Sequence, residues 1–151
     1  RVLVAGDRSH CGKSTISLGL LASLLERGFL PSELAYIKPA TQCVAPTLTA
    51  KFCETMGISY VHIGPVVFYR GFTRAFLDGK HGVSDDLVRE CARAVERIAE
   101  GKRAVVIDGV GYPSVGSIVG CSSADIALAC HACVLLVGKQ GVGDACCSWA
   151  N

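Results

Sequence analysis

The sequence has 151 residues, enough for one domain, and half of them are hydrophobic, so the chain can bury a sizeable core. Fifteen basic and thirteen acidic residues leave a formal net charge of +2, with no basic block that would follow a nucleic-acid backbone. No apolar run is long enough to span a bilayer, and the N-terminal residues lack a signal-peptide pattern. These features predict a soluble, cytoplasmic protein that binds neither nucleic acid nor membrane.

The first predicted strand, Val2-Leu3-Val4-Ala5, is followed by a glycine-containing loop that leads into a helix. This order, with Gly-Lys-Ser at the start of the helix, is typical of a loop that cradles the phosphates of a nucleotide. Lys13 would neutralise the outer phosphates, and the Ser14 hydroxyl would bind Mg²⁺. The predicted nucleotide-binding residues are Gly6, Ser9, His10, Cys11, Gly12, Lys13, Ser14 and Thr15.

The spacing of this phosphate loop is unusual. Five residues separate Gly6 from Gly12, where the common pattern has four, and Asp7 stands at the position of the usual first glycine. The alternative is a helix whose N-terminus is merely rich in glycine. The position of the loop between a strand and a helix favours the phosphate-binding interpretation.

Leucines at helical spacing after the loop predict a helix that ends at Gly28, and Leu34-Ala35-Tyr36-Ile37 has the pattern of a short buried strand. Pro39 cannot continue a central strand, so Lys38 is expected at the carboxyl end of that strand. A lysine at this edge can reach a transferred phosphoryl group or an anionic substrate, and we predict that it is catalytic together with Lys13. The alternative for Lys38 is a solvated loop lysine.

Two helices are predicted in the middle of the chain, one over residues 46–56 and one between Ser84, as its N-cap, and Gly101. Asp85 and Asp86 fall in the first turn of the second helix, where the helix dipole favours negative charge. We therefore expect these carboxylates to stabilise the helix start, not to form a catalytic pair. The apolar face of this helix consists of Leu87, Cys91, Val95 and Ile98.

Residues 58–69 lack a clean periodicity and are not assigned to an element. Arg70 and Arg74 flank an aromatic stretch and could clamp a carboxylate, although we expect both to face solvent. Lys139, which follows a predicted strand, is equally open to a binding or a solvated role.

The run Ala104-Val105-Val106-Ile107 is apolar throughout, as in a buried parallel strand, and it ends in Asp108-Gly109-Val110-Gly111. A carboxylate delivered to this edge of the sheet can hold a metal, so we predict that Asp108 binds Mg²⁺ directly or through water, together with Ser14. The alternative is that Asp108 caps the glycine-rich turn that follows it.

A capping box at Ser122 and Asp125 predicts a short helix, and residues 133–137 have the pattern of the next buried strand. Strands and helices alternate, and polar residues gather just after strands. The sequence therefore predicts an α/β fold with a doubly wound, mostly parallel sheet, helices on both faces and a site at the carboxyl edge. Residues 1–151 are predicted to form a single nucleotide-binding domain.

Nine cysteines would suggest disulfides in a small secreted protein, but the number is odd and Cys146 and Cys147 are adjacent. We expect buried, reduced thiols that act as small hydrophobic residues. Cys130-His131-Ala132-Cys133 has the spacing of metal ligands, but no second ligand pair matches it, so a connection between a helix and a strand is favoured.

On these motifs, the chain resembles the dethiobiotin synthetases and the related cobyrinic acid a,c-diamide synthases. Their phosphate loops have five residues between the glycines, as found between Gly6 and Gly12. In the dethiobiotin synthetases a Lys-Pro follows the second strand, as Lys38-Pro39 does, and an acidic-Gly-x-Gly follows a later strand, as residues 108–111 do. Ser9 matches a serine of the cobyrinate-type loop.

The resemblance implies a P-loop ligase that uses ATP and Mg²⁺ to activate a small carboxylate or carbamate as a mixed phosphoric anhydride, which an amine then attacks. It implies that Lys13 and Ser14 serve the nucleotide and the metal. By the same resemblance, Lys38 serves the substrate and phosphoryl oxygens, and Asp108 serves Mg²⁺. A role in biotin biosynthesis and a homodimer are further expectations of this kind.

The sequence departs from the dethiobiotin synthetases at Ser9-His10-Cys11, where they have Thr-Glu-Val, and at Gln42 and Tyr112, where they have serine and glycine. These departures leave the substrate open. They also keep a second hypothesis, a non-catalytic or regulatory nucleotide-binding domain like those attached to acetyl-group transferases. A partitioning-type ATPase is least favoured, because such proteins carry a further lysine early in the loop, where Asp7 and Arg8 stand here.

The sequence begins without a methionine and ends at Asn151, after what resembles the start of another helix. We therefore expect a fragment of a longer chain, whose later segments serve base recognition and subunit contact in the relatives.

Overall fold

The computed structural model describes residues 1–42, 45–61 and 63–138. Its strands are β1 (Val2–Gly6), β2 (Leu34–Ile37), β3 (Ala40–Thr41), β4 (Ser59–Val61), β5 (Val66–Val67), β6 (Ala104–Asp108) and β7 (Cys133–Val137). Its helices are α1 (Lys13–Glu26), α2 (Leu48–Met56), α3 (Phe72–Leu77), α4 (Ser84–Ala99), α5 (Pro113–Ile118) and α6 (Ser123–Ala129), and a 3-10 turn covers Pro31–Glu33.

The main sheet has five strands in the order β4-β2-β6-β1-β7, and each neighbouring pair is parallel. Strand β6 therefore lies between β1 and β2, which are joined in sequence by α1. A small second sheet pairs β3 with β5, also in parallel. The predicted doubly wound parallel α/β fold is confirmed, and the unassigned residues 58–69 contain β4 and β5.

The two faces of the sheet are covered by different helices. Leu21 of α1 and Ala50 of α2 pack on the face that carries Val4 and Val106. The opposite face carries the larger core, which α4 and α6 cover. Side chains alternate between the faces of a strand, so the pairing register decides which residues share a face. Residues that the register places on the α1 face at the carboxyl ends of the strands therefore lie on the side of the sheet that the phosphate loop and α1 occupy.

Most helix boundaries agree with the sequence. Gly28, with φ 89°, follows α1, and Gly57, with φ 72°, ends α2, as left-handed glycines commonly do at helix ends. Helix α2 starts slightly later than predicted, because the Thr47 side chain accepts the Ala50 N–H and acts as its N-cap. The prediction of Ser84 as the N-cap of α4 is wrong by one residue, since Ser84 is its first helical residue and Val83 precedes it.

Strand β7 differs from its prediction in burial. Its residues are apolar, but Val134, Leu135 and Leu136 are 50%, 41% and 44% exposed, because the strand lies at the edge of the described sheet. The loop expected before α6 contains the short helix α5, which Pro113 opens at a position where its missing N–H costs nothing. Lys139 lies outside the described residues.

The six cysteines in the described ranges are free thiols. Four of them are buried and Cys133 is exposed, so the expectation of buried, reduced thiols holds for the majority. Burial raises the pKa of the Cys53 thiol to about 12. Within the same ranges, no group of three or more His, Cys, Asp or Glu side chains could hold a metal ion, and Cys130 to Cys133 connect α6 to β7. Arg70 and Arg74 are exposed, as expected.

None of the helices in the part of the chain that the structure describes is both long and apolar enough to cross a membrane.

Candidate functional site

A cavity of about 400 Å³ lies at the carboxyl ends of β1, β2 and β6. It is bounded by the phosphate loop, by the residues after β2 and by the loop after β6. Most of the site residues that the sequence predicts are therefore together in one place. The lining residues are Ser9, His10, Gly12, Lys13, Ser14, Thr15, Lys38, Thr41, Gln42, Gly111 and Tyr112.

The phosphate loop folds back onto its first glycine. Gly6 is buried, and a Cβ atom there would collide with the Sγ of Cys11 and lie 3.0 Å from side-chain carbons of Lys13. Gly12, with φ 98°, occupies the N-cap position of α1, where few other residues can adopt this conformation. The two glycines are thus required for different reasons: Gly6 allows the loop to approach it closely, and Gly12 adopts a left-handed conformation.

Lys13 is only 6% exposed, and its Nζ donates hydrogen bonds to the carbonyl oxygens of Arg8, at 3.0 Å, and Gly111, at 3.4 Å. Both acceptors are uncharged carbonyl groups, so neither contact offsets the charge that Lys13 brings to the cavity wall. A cavity wall with this charge suits an anionic ligand such as a phosphate chain.

Asp108 is fully buried at the end of β6, and three donors converge on one of its carboxylate oxygens. Its Oδ2 accepts hydrogen bonds from Ser14 Oγ at 2.8 Å and from Tyr36 Oη at 3.0 Å. The Nζ of Lys38 lies 3.1 Å from the same oxygen. Among the described residues, the other oxygen, Oδ1, is buried without a hydrogen-bond partner.

These residues fit a Mg²⁺ ion. A buried carboxylate oxygen without a partner, next to a serine hydroxyl, offers the hard oxygen ligands that Mg²⁺ prefers. The alternative, that Asp108 caps the glycine-rich turn, has less support because the first two amides of the turn have other acceptors. Gly109 N–H donates to the carbonyl of Val4, and Val110 N–H donates to Ser123 Oγ.

Lys38 is at the carboxyl end of β2, as predicted, but it is 9% exposed and not a solvated loop lysine. Besides its pairing with Asp108, its Nζ donates to the Gly109 carbonyl at 3.3 Å. The backbone of Lys38 and Pro39 is held closely, since a Cβ on Gly64 would collide with both of their carbonyl oxygens. The strand end thus fixes this ammonium group at the wall of the cavity.

Sequence reasoning missed Tyr36 and Thr49 as site residues. Tyr36 is 1% exposed, and burial, followed by the nearby charge of Asp108, raises the pKa of its hydroxyl, which therefore stays protonated. The Thr49 hydroxyl donates to the Ser14 carbonyl at 2.9 Å and so holds the first turn of α1. The sequence does contain one indication of the Tyr36 role. A tyrosine in an otherwise apolar buried strand needs a hydrogen-bond partner for its hydroxyl group.

Four of the five residues that depart from the dethiobiotin synthetase pattern line the same cavity: Ser9, His10, Gln42 and Tyr112. His10 has φ 58°, unusual for a residue other than glycine, and its Nδ1 lies 2.7 Å from Ser9 Oγ. Its ring meets the ring of Tyr112 edge-on, with 6.5 Å between their centroids. Gln42 also lines the cavity, and its Oε1 is in contact range of a Cβ built on Gly111.

Comparison with known proteins gives one family match and a set of partial relatives. The model of an AAA domain family, AAA_26, matches residues 1–146. The cobyrinate a,c-diamide synthase of Methanosarcina acetivorans is 42% identical over 60 residues, which are 37% of this chain and 12% of that protein. The enzyme of the same description from Methanosarcina barkeri is 40% identical over 60 residues, with the same shares. No solved structure gives a significant match.

Proposed function

The chain belongs to the AAA_26 family of AAA domains, and from this premise we propose that it is an ATP- and Mg²⁺-dependent ligase. It would activate a small carboxylate or carbamate by phosphorylation, as the dethiobiotin synthetases that it resembles do. The matched region covers only 12% of the curated relatives, so their printed activity, the amidation of cobyrinate, supports the reaction class and leaves the substrate open.

One observation carries the proposal: Ser14 Oγ is 2.8 Å from the buried Asp108, whose Oδ1 has no partner among the described residues. Lys13 and Lys38 line the cavity beside this pair. Phosphoryl transfer depends on positioning and on charge neutralisation more than on covalent participation by the protein. The groups present here supply both.

The charges of the cavity favour an anionic acceptor. Its described lining includes Lys13 and Lys38 but no aspartate or glutamate, and only Lys38 is paired with a carboxylate, the buried Asp108 behind the lining. A carboxylate or carbamate is stabilised by the Lys13 charge, whereas an ammonium group bound beside Lys13 would be repelled by it. The amine is therefore expected to enter as the neutral nucleophile after the acid has been activated.

In the proposed reaction, an oxygen of the substrate carboxylate or carbamate attacks the γ-phosphorus of ATP, and ADP leaves. The nitrogen of an amine then attacks the carbonyl carbon of the mixed anhydride, phosphate leaves, and the amine loses a proton. Bound Mg²⁺, held by Ser14 and Asp108, would neutralise the phosphate oxygens. Lys13 orients the β- and γ-phosphates, and Lys38 binds the oxygens between the γ-phosphorus and the acceptor.

The first experiment tests nucleotide binding. Isothermal titration of Mg²⁺-ATP is expected to give saturable binding to the wild-type protein and none to Lys13→Ala, because the phosphate charge loses its main partner. Lys51→Ala removes an exposed lysine of α2 and is the matched control. Unchanged affinity in Lys13→Ala would exclude the phosphate-loop assignment.

The second experiment tests the ligase reaction in the full-length protein by following ADP formation. Bicarbonate with 7,8-diaminopelargonate tests the dethiobiotin-type reaction, and cobyrinate with ammonia tests amidation. ADP formation that requires either substrate pair supports the ligase and identifies the branch. ATP binding without ADP formation from either substrate pair favours a regulatory nucleotide-binding domain. His10 and Gln42, which line the cavity and depart from the dethiobiotin synthetase pattern, are the residues that favour this second hypothesis.

A further inference from the structure

The three donors on Asp108 Oδ2 differ in their access to the cavity. Ser14 and Lys38 both line it, so each can turn towards a bound ligand. Tyr36 is 1% exposed and is not among the lining residues, yet its hydroxyl donates to the same oxygen at 3.0 Å. Of these three donors, Tyr36 is the one that contacts Asp108 without lining the cavity.

We propose that Tyr36 is a positioning residue: its hydroxyl keeps the Asp108 carboxylate oriented towards the metal while Ser14 and Lys38 engage Mg²⁺ and the phosphates. The inference rests on the proposed function, since it presupposes a metal at Asp108. It concerns a side chain that no motif in the sequence singles out.

The sheet register brings Tyr36 to this position. Tyr36 is opposite Val106 on the neighbouring strand, and Asp108 is two residues beyond Val106, so both side chains point to the α1 face. The aromatic ring packs in the core of this face with Val4 and Leu34. The hydroxyl thus reaches Asp108 from a rigid strand, and a rigid support is what accurate ligand placement requires.

The direction of the hydrogen bond is also fixed. Thr47 Oγ1 accepts the Ala50 N–H at 3.1 Å, and it lies 3.4 Å from Tyr36 Oη. With one of its lone pairs engaged, the Thr47 hydroxyl can donate its proton to Tyr36, and the Tyr36 proton then points at Asp108. An ionised carboxylate can only accept hydrogen bonds. The Thr47 hydroxyl can therefore donate to Tyr36, and the Tyr36 hydroxyl donates to Asp108 Oδ2.

This arrangement leaves Oδ1 free for the metal. The three donors bind one oxygen, and the other has no partner among the described residues. When Mg²⁺ recruits the Ser14 hydroxyl and a phosphate recruits Lys38, Tyr36 is the remaining donor that holds the carboxylate. Partners that orient a metal ligand in this way typically change metal affinity by about 10- to 100-fold when they are removed.

The test uses Tyr36→Phe, which keeps the ring and removes the hydroxyl. Mn²⁺ is titrated into the protein saturated with ADP, and free Mn²⁺ is followed by electron paramagnetic resonance. We expect Mn²⁺ affinity to fall about 10-fold, while ADP affinity in the presence of a chelator stays at the wild-type value. Tyr60→Phe is the matched control, because Tyr60 is in register with Tyr36 on β4 and packs against the same core.

A second variant separates positioning from packing. 4-Aminophenylalanine at position 36 restores an N–H donor, and it is expected to restore Mn²⁺ affinity to within about 2- to 3-fold of wild type. If this variant folds but binds Mn²⁺ as weakly as Tyr36→Phe, the donor is not what matters and the proposal is overturned. Wild-type Mn²⁺ affinity in Tyr36→Phe overturns it as well.

The wild-type titration distinguishes the two proposals. Asp108→Asn is titrated beside the wild-type protein. If both bind ADP and have the same affinity for Mn²⁺, Asp108 does not bind the metal, and both the metal centre of the proposed function and the Tyr36 inference are excluded. If wild-type binding depends on Asp108 but Tyr36→Phe behaves as wild type, only the inference about Tyr36 fails.

Discussion

Lys38 and Asp108 form an ion pair of 3.1 Å between Nζ and Oδ2, although their side chains are only 11% and 0% exposed. Lys38 directly follows β2, and Asp108 is the last residue of the neighbouring strand β6. The ion pair therefore joins these two strands at the edge of the sheet where the cavity opens. A buried pair of this kind often adds little net stability, but removal of one partner leaves an uncompensated charge. Lys38 is thus important both for the chemistry proposed above and for the fold.

The Lys38→Met variant is expected to lower the free energy of unfolding by about 3 kcal/mol, because the Asp108 carboxylate stays buried without its counter-charge. The loss should be at the lower end of the usual range, since Ser14 and Tyr36 still donate to Asp108. Urea denaturation measures it. Combining Lys38→Met with Asp108→Asn should recover most of the stability.

The control is Lys80→Met, which breaks an exposed pair with Asp78 whose side chains are 70% and 52% exposed. Exposed pairs contribute about 0–1 kcal/mol, so little change is expected. Equal losses in Lys38→Met and Lys80→Met would mean that the Lys38 pair is not buried in solution. In the turnover assay, Lys38→Met should still bind ATP through Lys13 but form no ADP.

Gly6→Ala tests the folded-back geometry of the phosphate loop. The added methyl group would collide with Cys11 Sγ and press on Lys13, so nucleotide affinity is expected to fall by at least about 10-fold. Cys11→Ala removes the sulfur atom, and the double variant should recover part of the loss. Such recovery is a coupling between two residues in contact, which a double-mutant cycle of titrations measures directly.

Gly19→Ala is the control for this cycle, because Gly19 is an exposed residue of α1 with open space around its Cα. It should leave nucleotide affinity unchanged. Additive effects of Gly6→Ala and Cys11→Ala would show that the two residues are not in contact.

Thiol reactivity tests the burial of the cysteines. Among the six described cysteines, Cys11 and Cys133 are at least partly accessible and the rest are buried. Burial raises the pKa of Cys53 to about 12, so its reactive thiolate is scarce at about pH 8 and becomes abundant only when the pH approaches this value. Iodoacetamide labelling of the native protein, mapped by mass spectrometry, should modify Cys11 and Cys133 well before Cys53.

Nucleotide should further protect Cys11, because this residue lies in the phosphate loop, and should leave the rate at Cys133 unchanged. Labelling of Cys53 at the rate of Cys133 in the native state would contradict the packing of α2 on the sheet.

Much of the fold and the positions of the main site residues could be predicted from sequence, because they depend on local signals. The phosphate loop, Lys38 and Asp108 each follow a short apolar run, and parallel strands bring such residues to one edge. The structure places Lys13, Ser14 and Lys38 at one cavity in accordance with that rule.

The remainder depends on register and strand order, which no local pattern encodes. The contact of Tyr36 with Asp108 requires β6 to be the neighbour of β2 in one particular alignment. The exposure of β7 follows from its place at the edge of the described sheet, although its apolar sequence resembles that of a central strand. The N-cap of α4 is Val83 instead of the predicted Ser84, and the Asp86 side chain accepts the Val83 N–H at 3.5 Å.

The insertion of β6 between β1 and β2 has a consequence for biosynthesis. On the ribosome, the phosphate loop and Lys38 emerge early, but the strands that carry them are not hydrogen-bonded to each other in the final sheet. A nascent chain that ends before β6 therefore has Lys38 and Ser14 without the carboxylate that both contact in the folded protein. The Asp108 side of the cavity is therefore complete only after β6 has left the exit tunnel, although the phosphate loop is made first.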